Sequence, residues 1–166
     1  MKIELKGIKH YPSMSEETNC YEASLYVDGV KIGTVSNRGT GGCDDFYGDR
    51  AAFAAADEWC KTNLPPYTLD VGGESHSGPT DLEMHCAHLL EEHIFTKDLK
   101  AAMKKSALFT LPDESGLFRT GYKAQRGQKQ KAPDEALFTH VRQKHQGAII
   151  LNCLPICEAL AIYRQA

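Results

Sequence analysis

The chain has 166 residues, 42% hydrophobic and 25% charged, a composition that suits one globular domain and excludes disorder of the whole chain. No apolar run approaches the roughly 20 residues of a membrane span, and the start lacks the pattern of a secretory leader, so a cytoplasmic protein without membrane contact is expected. The net charge of −3 conceals a division: residues 41–92 carry eleven acids against Arg50 and Lys61, whereas residues 93–131 carry nine bases against Asp98, Asp113 and Glu114.

A chain patterned in this way either pairs its halves internally or shows them to different partners. Six cysteines could form three disulfides, but Cys60, Cys86 and Cys157 fall at packed positions of helical patterns, where a free thiol acts as a small apolar group. Reduced cysteines in a reducing compartment are therefore expected.

In chain order, "MKIELKGIKHY" alternates Ile3 and Leu5 with Lys2, Glu4 and Lys6, which predicts a half-buried strand. "PSMSEETN" is a polar loop. In "CYEASLYVDGVKIGTVSN" two β-rich runs flank Asp28-Gly29, a dipeptide that supplies positive φ at a tight hairpin. The three runs predict an antiparallel meander. A glycine-rich loop then leads into a helix with Phe53, Ala56, Trp59 and Cys60 on its apolar face, Asp49 as its cap and Pro65-Pro66 at its end. "YTLDVGGESHSG" reads as a short strand or an irregular loop. Thr80 with Glu83 has the form of a capping box opening a helix to about residue 94. A further helical segment over about 97–105 is either continuous with it or kinked at Phe95-Thr96.

"ALFTLPDESGLFRTGYK" predicts a second hairpin around residues 112–116, and "AQRGQKQKA" a mobile basic loop. Pro133 starts a helix with Asp134 and Glu135 in its first turn and Leu137, Phe138 and Val141 inward. The continuous apolarity of "AIILN" predicts a fully buried strand. Pro155 opens a last helix with Ile156, Ala159, Leu160 and Tyr163 on one face. The expected class is α+β: a mostly antiparallel sheet with an N-terminal three-stranded meander and a second hairpin, helices packed on one face, and a single domain over residues 1–166.

Four constellations could carry chemistry. Gly39, Gly41 and Gly42 precede a helix start, where free N–H groups favour an anion. Their spacing fits neither phosphate-binding fingerprint, no lysine follows, and Asp44 and Asp45 repel an anion unless a cation lies between. Arg38, Gly39, Gly41, Gly42, Asp44 and Asp45 stand as ligand- or partner-binding candidates, against a plain structural role for glycines at positive φ.

In "MHCAHLLEEH", Leu82, Cys86, Leu89 and Leu90 form a core arc with His93 inside it, as a core or boundary histidine and not a ligand. His85, His88 and Glu92 lie on an adjoining stripe. That stripe is a candidate zinc or transition-metal site, although it lacks the spacing of H-E-x-x-H and needs further ligands; a solvated shoulder is the alternative. Cys153 and Cys157 do not have the redox Cys-x-x-Cys spacing.

Finally, Lys97, Lys100, Lys104, Lys105, Arg119, Lys123, Arg126, Lys129 and Lys131 form a basic tract interleaved with Phe118 and Tyr122. Such a tract could track phosphates and stack bases, or dock on an acidic protein. Lys123, Arg126, Lys129 and Lys131 are its partner-binding candidates. With an overall pI of about 6.2 and no nucleic-acid module, sequence-specific DNA binding is not expected. No catalytic set and no cofactor are assigned.

The segments "SEETNCYEASLYVDGVKIGTVSNRGTGGC", "ALFTLPDESGLFRTGYK" and "ILNCLPICEALAIY" resemble stretches of small proteins without assigned activity from bacteria, their phages and prophages. The resemblance implies a compact accessory protein of a phage or mobile element, a class whose members often bind and block a host factor, including components of antiviral defence. Two functions are therefore weighed. One is a non-enzymatic binding protein whose partner is a host protein, with nucleic acid through residues 97–131 as a second partner class and a homodimer open. The other is a small metal- or nucleotide-binding enzyme or sensor using loop 39–45 and the His85/His88/Glu92 stripe.

Overall fold

A computed structural model describes residues 1–124 and 129–165. The chain divides into two compact units, Met1–Glu92 and His93–Ala166.

In the first unit, β1 (Ile3–His10), β2 (Tyr21–Val27), β3 (Val30–Asn37) and β4 (Asp45–Gly48) form an antiparallel sheet in that order. The meander is as expected and gains a fourth strand. β4 was hidden because Asp45 and Gly48 are poor strand formers; what makes it a strand is its pairing, with Val35 opposite Phe46. At the β2–β3 turn Asp28 and Gly29 have φ of 48° and 83°, both positive as the tightest hairpin requires. The Asp28 carboxylate also accepts the Lys2 N–H at 2.6 Å, which ties β1 to that turn.

Along β2, Tyr21, Ala23 and Leu25 are buried while Glu22 is exposed, the alternation of a strand with one face packed. Ile3 and Leu25 meet Ala56 and Cys60 of α1 (Arg50–Asn63) and Leu82 and Cys86 at the start of α2 (Leu82–Met103). The small side chains at 56, 60 and 86 are fully buried in this core. Asp49 caps α1 as expected, accepting from the N–H groups of Ala51 and Ala52 at 2.9 and 3.1 Å. Residues 67–78 resolve as a hairpin, β5 (Tyr67–Val71) with β6 (Glu74–Gly78), turning at Gly72-Gly73.

The capping box at Thr80 is corrected. The buried Thr80 hydroxyl donates to the Pro65 carbonyl at 2.6 Å, and Asp81 caps α2 by accepting the Met84 N–H at 2.8 Å. Thr80 and Asp81 are both competent caps, but the Pro65 carbonyl claims the Thr80 hydroxyl and leaves the cap to Asp81.

In the second unit, α2 runs unbroken through Phe95-Thr96. The sheet has the order β8-β7-β9, from β7 (Ala107–Leu111), β8 (Glu114–Thr120) and β9 (Ile149–Ile150). β7 is buried on both faces. Ala107 and Phe109 pack with Ile150 and with Leu137 and Val141 of α3 (Glu135–Lys144), whereas Leu108 packs with Leu99, Leu151 and with Ala159 and Leu160 of α4 (Ile156–Gln165). The unbroken apolar run "ALF" reflects that double burial.

Other expectations here are corrected. Only Ile149 and Ile150 of "AIILN" form a strand, Ile149 is 49% exposed, and Leu151–Cys153 is a 3-10 turn. Apolar continuity does not separate a short edge strand from a buried turn. Asp134 caps α3 and does not belong to its first turn; it accepts the Leu137 N–H at 3.1 Å. Cys157 and Ile156 are exposed, since the packed stripe of α4 centres on Ala159 and Leu160. Asn152 joins the unit internally: its side chain accepts the Leu108 N–H at 2.8 Å and donates to the carbonyls of Met103 and Ser106 at 3.1 Å each.

Candidate functional site

The glycine-rich loop is built around Asn37, which is buried at the end of β3. Its Oδ1 accepts from the Thr18 hydroxyl at 2.7 Å and the Gly39 N–H at 2.9 Å, and its Nδ2 donates to the Gly42 carbonyl and to Asp44 at 3.2 and 3.0 Å. The Gly41 N–H reaches Thr18 Oγ1 at 3.3 Å, and the Gly39 carbonyl accepts from the N–H groups of Glu16, Glu17 and Thr18. Gly39 has φ of 85°, and a Cβ there would collide with the Met14 carbonyl and lie 2.8 Å from Cys20 Cβ. Its conformation and its crowding both demand glycine. The Gly39 and Gly41 N–H groups that could have cradled a phosphate are thus occupied by side-chain oxygens. Arg38 and Gly42 are exposed, and Asp45 is the exposed first residue of β4, opposite Ser36.

Asp44 is the electrostatic centre of this region. It accepts from the Tyr21 hydroxyl and from Asn37, while its own N–H donates to Glu83 at 2.9 Å. Burial, and then the Asp44 carboxylate, push the Tyr21 hydroxyl far above its ordinary pKa, so it is a locked donor. Glu83, freed from the capping box, stands close enough to Cys43 to raise that thiol as well. A cavity of about 370 Å³ opens here, lined by Tyr21, Asn37, Asp44, Asp81, Glu83 and Met84 among others. Its carboxylates are largely consumed in holding the loop and the start of α2.

On α2, His85 is half-buried, while His88 and Glu92 are exposed. Burial, and then the neighbouring His88, lower the His85 pKa. Among the described residues no group of three or more His, Cys, Asp or Glu side chains is placed to hold a metal ion. His93 is corrected: it is exposed, and the buried arc ahead of it comprises Leu82, Cys86 and Leu90.

Instead, His93 heads a different stripe. At 100° per residue, His93, Lys97, Lys100 and Lys104 fall within an arc of about 60°. They border a groove of about 450 Å³ together with Thr96 and Lys105. Among the described residues, Lys97, Lys100 and Lys104 have no ion pair. The spacing of these bases at i, i+4, i+7 and i+11, and the place of the three lysines in the basic tract, are legible in the sequence; the exposure of His93 beside them is not.

The remaining basic candidates separate. Lys131 is engaged: its ammonium lies 2.6 Å from Asp134 and 4.5 Å from the centre of the Tyr122 ring, and the Tyr122 hydroxyl donates to Asp134 at 2.5 Å. Lys131, Tyr122 and the Leu137 N–H hold the Asp134 carboxyl well below the usual carboxylate range. This group anchors the start of α3. Lys123 and Lys129 are exposed, and Arg126 lies outside the described residues.

The charge division coincides with the structural one. Residues 1–92 hold 16 acids and 7 bases, net −9, and residues 93–166 hold 12 bases and 6 acids, net +6. No family model, curated protein sequence or solved structure matches the chain. Function is accordingly read from these surfaces.

Proposed function

We propose that the chain is a non-enzymatic binding protein, an accessory protein of a phage or mobile element, that engages and blocks a host factor such as an antiviral defence component by docking on that factor's anionic surface. The observation that carries this reading is the lysine stripe of α2: three cations on one helix face, without carboxylate partners among the described residues, in the unit that holds the excess of bases. A surface of this kind raises association rates with an anionic partner and discriminates against cationic ones.

The test is affinity capture from a bacterial lysate with the wild-type chain and with Lys97→Glu, Lys100→Glu and Lys104→Glu combined. Capture of a host protein that is lost in the triple variant and at high salt is expected, since exposed charge pairs are screened over about 8–10 Å at physiological ionic strength. Bound material that disappears on nuclease treatment reassigns the partner to nucleic acid. A bound set unchanged by the triple reversal removes the stripe from the account.

A further inference from the structure

In the second unit, β7, β8 and α3 border a pocket of about 210 Å³ that takes only Arg119 and Phe118 from the basic tract. Its floor is aromatic. The rings of Phe109 and Phe118 stack with centroids 5.8 Å apart and planes inclined by 27°, and the His145 ring centroid lies 5.3 Å from that of Phe109 at a tilt of 37°. Its wall is basic: Arg119 borders it from β8, His140 and Lys144 from α3, and His145 from the end of that helix. His140 and Lys144 are four residues apart and so share one shoulder of α3, beside the buried Leu137 and Val141.

Among the described residues no acid lines this pocket, in contrast to the carboxylate-lined cavity of the first unit. Among the described residues neither Arg119 nor Lys144 has an ion pair, whereas Arg142, also in the last turn of α3, is committed to Glu135 at 2.6 Å. An aromatic floor beneath unneutralised basic groups asks for a ligand that is both flat and anionic. Two cations and two imidazoles exceed what a single carboxylate satisfies; a phosphate monoester carries about −1.5 to −2 at neutral pH. The carbonyls at the end of α3 work against an anion, and Lys144 in its last turn counters them.

We propose that this pocket binds a nucleotide unit, with the base against the half-buried Phe118 and His145 rings, which the buried Phe109 backs, and the phosphate among Lys144, His140 and Arg119. Nucleotide binding here is independent of partner docking on α2. The shared chemistry has two sources, a free nucleoside monophosphate and the phosphorylated end of a single strand.

The experiment is calorimetric titration of the full chain with the four nucleoside 5′-monophosphates, with the matching nucleosides, with inorganic phosphate, and with a short 5′-phosphorylated oligonucleotide. Monophosphates should bind at least roughly tenfold more tightly than nucleoside or phosphate alone, because each of those lacks half of the contacts. Lys144→Glu with His140→Glu should weaken binding by at least roughly tenfold, and Lys144→Arg should restore it in part. Should the double variant lose its native melting transition, Lys144→Gln alone carries the same expectation. An oligonucleotide that binds more tightly than the monophosphate, and is weakened by the same substitutions, assigns the pocket to strand ends; equal affinity assigns it to free nucleotide. Absence of binding by monophosphate and oligonucleotide alike, or affinity unchanged in a folded Lys144/His140 variant, overturns the proposal. The Lys97/Lys100/Lys104 variant should keep nucleotide binding, and the pocket variant should keep partner capture, so either idea can fail without the other.

Discussion

The two units carry opposite charge, yet they use it differently. In the first, Asp44, Asp49, Asp57, Asp81 and Glu83 each accept a hydrogen bond that holds a loop, a helix end or a strand in place. Asp57 shows the pattern most fully: burial works against its charge, but the Leu82 N–H and the Lys61 ammonium outweigh it and hold the carboxyl below its ordinary pKa. In the second unit the lysines of α2 hold nothing comparable. Net charge of either sign therefore says little about function. What distinguishes a recognition surface from a structural one is whether its charges are already engaged.

The largest expected effects break the comparison at its cores. Leu25→Ala in the first unit and Leu151→Ala in the second each remove a fully buried side chain and should cost about 2–5 kcal/mol, read by urea unfolding. Trp59, the only tryptophan, packs against the first core, so its fluorescence should report the Leu25→Ala shift directly. A tryptophan transition indifferent to Leu25→Ala would contradict that packing.

Next, Asn37→Ala removes a buried side chain that serves Thr18, Gly39, Gly42 and Asp44, and should cost about 1–3 kcal/mol by leaving those groups unsatisfied. If Asn37→Ala is neutral, the loop does not depend on its network.

A graded loss should follow in alkaline solution. Burial raises the pKa of Tyr21 and of Cys86, and pushes the Cys60 thiol up to about 11, so folding favours the protonated forms. Stability from these groups is complete below the ordinary thiol value of 9.0 and is lost as pH rises through the elevated ones. The Trp59 unfolding midpoint should therefore fall above about pH 9, and Tyr21→Phe should flatten that fall. An unchanged slope in Tyr21→Phe would place the alkaline sensitivity on the thiols.

Asp49→Ala should cost about 1 kcal/mol through the lost cap of α1. The smallest effect sharpens the comparison most: Lys97→Gln, Lys100→Gln and Lys104→Gln should each leave stability within about 0.5 kcal/mol, since these side chains hold no partner among the described residues. A loss beyond that would move the stripe from recognition to structure.

Local rules carried far in this chain. The Asp28-Gly29 hairpin, the Asp49 cap, the Pro65-Pro66 stop, the hairpin at Pro112-Asp113 and the inward faces of α1 and α3 all follow from nearest neighbours and periodicity, because each depends on residues a turn or less apart. β4 did not follow, because a four-residue strand with two poor formers exists through its pairing with β3. The Thr80 hydroxyl was claimed by a carbonyl fifteen residues away, and Glu83 by a backbone N–H thirty-nine residues away.

The sites divide on the same line. The sequence alone determined the fold class, the elements bounded by local signals, and the split between an acidic and a basic stretch. Only the tertiary structure decided which charges are consumed, that His93 belongs with the lysines and not the core, and that Phe109, Phe118, His140, Lys144 and His145 share a pocket. The physical reason is range: propensity, capping and amphipathic period act within one turn, whereas burial and charge neutralisation are set by side chains that meet only after the chain has folded.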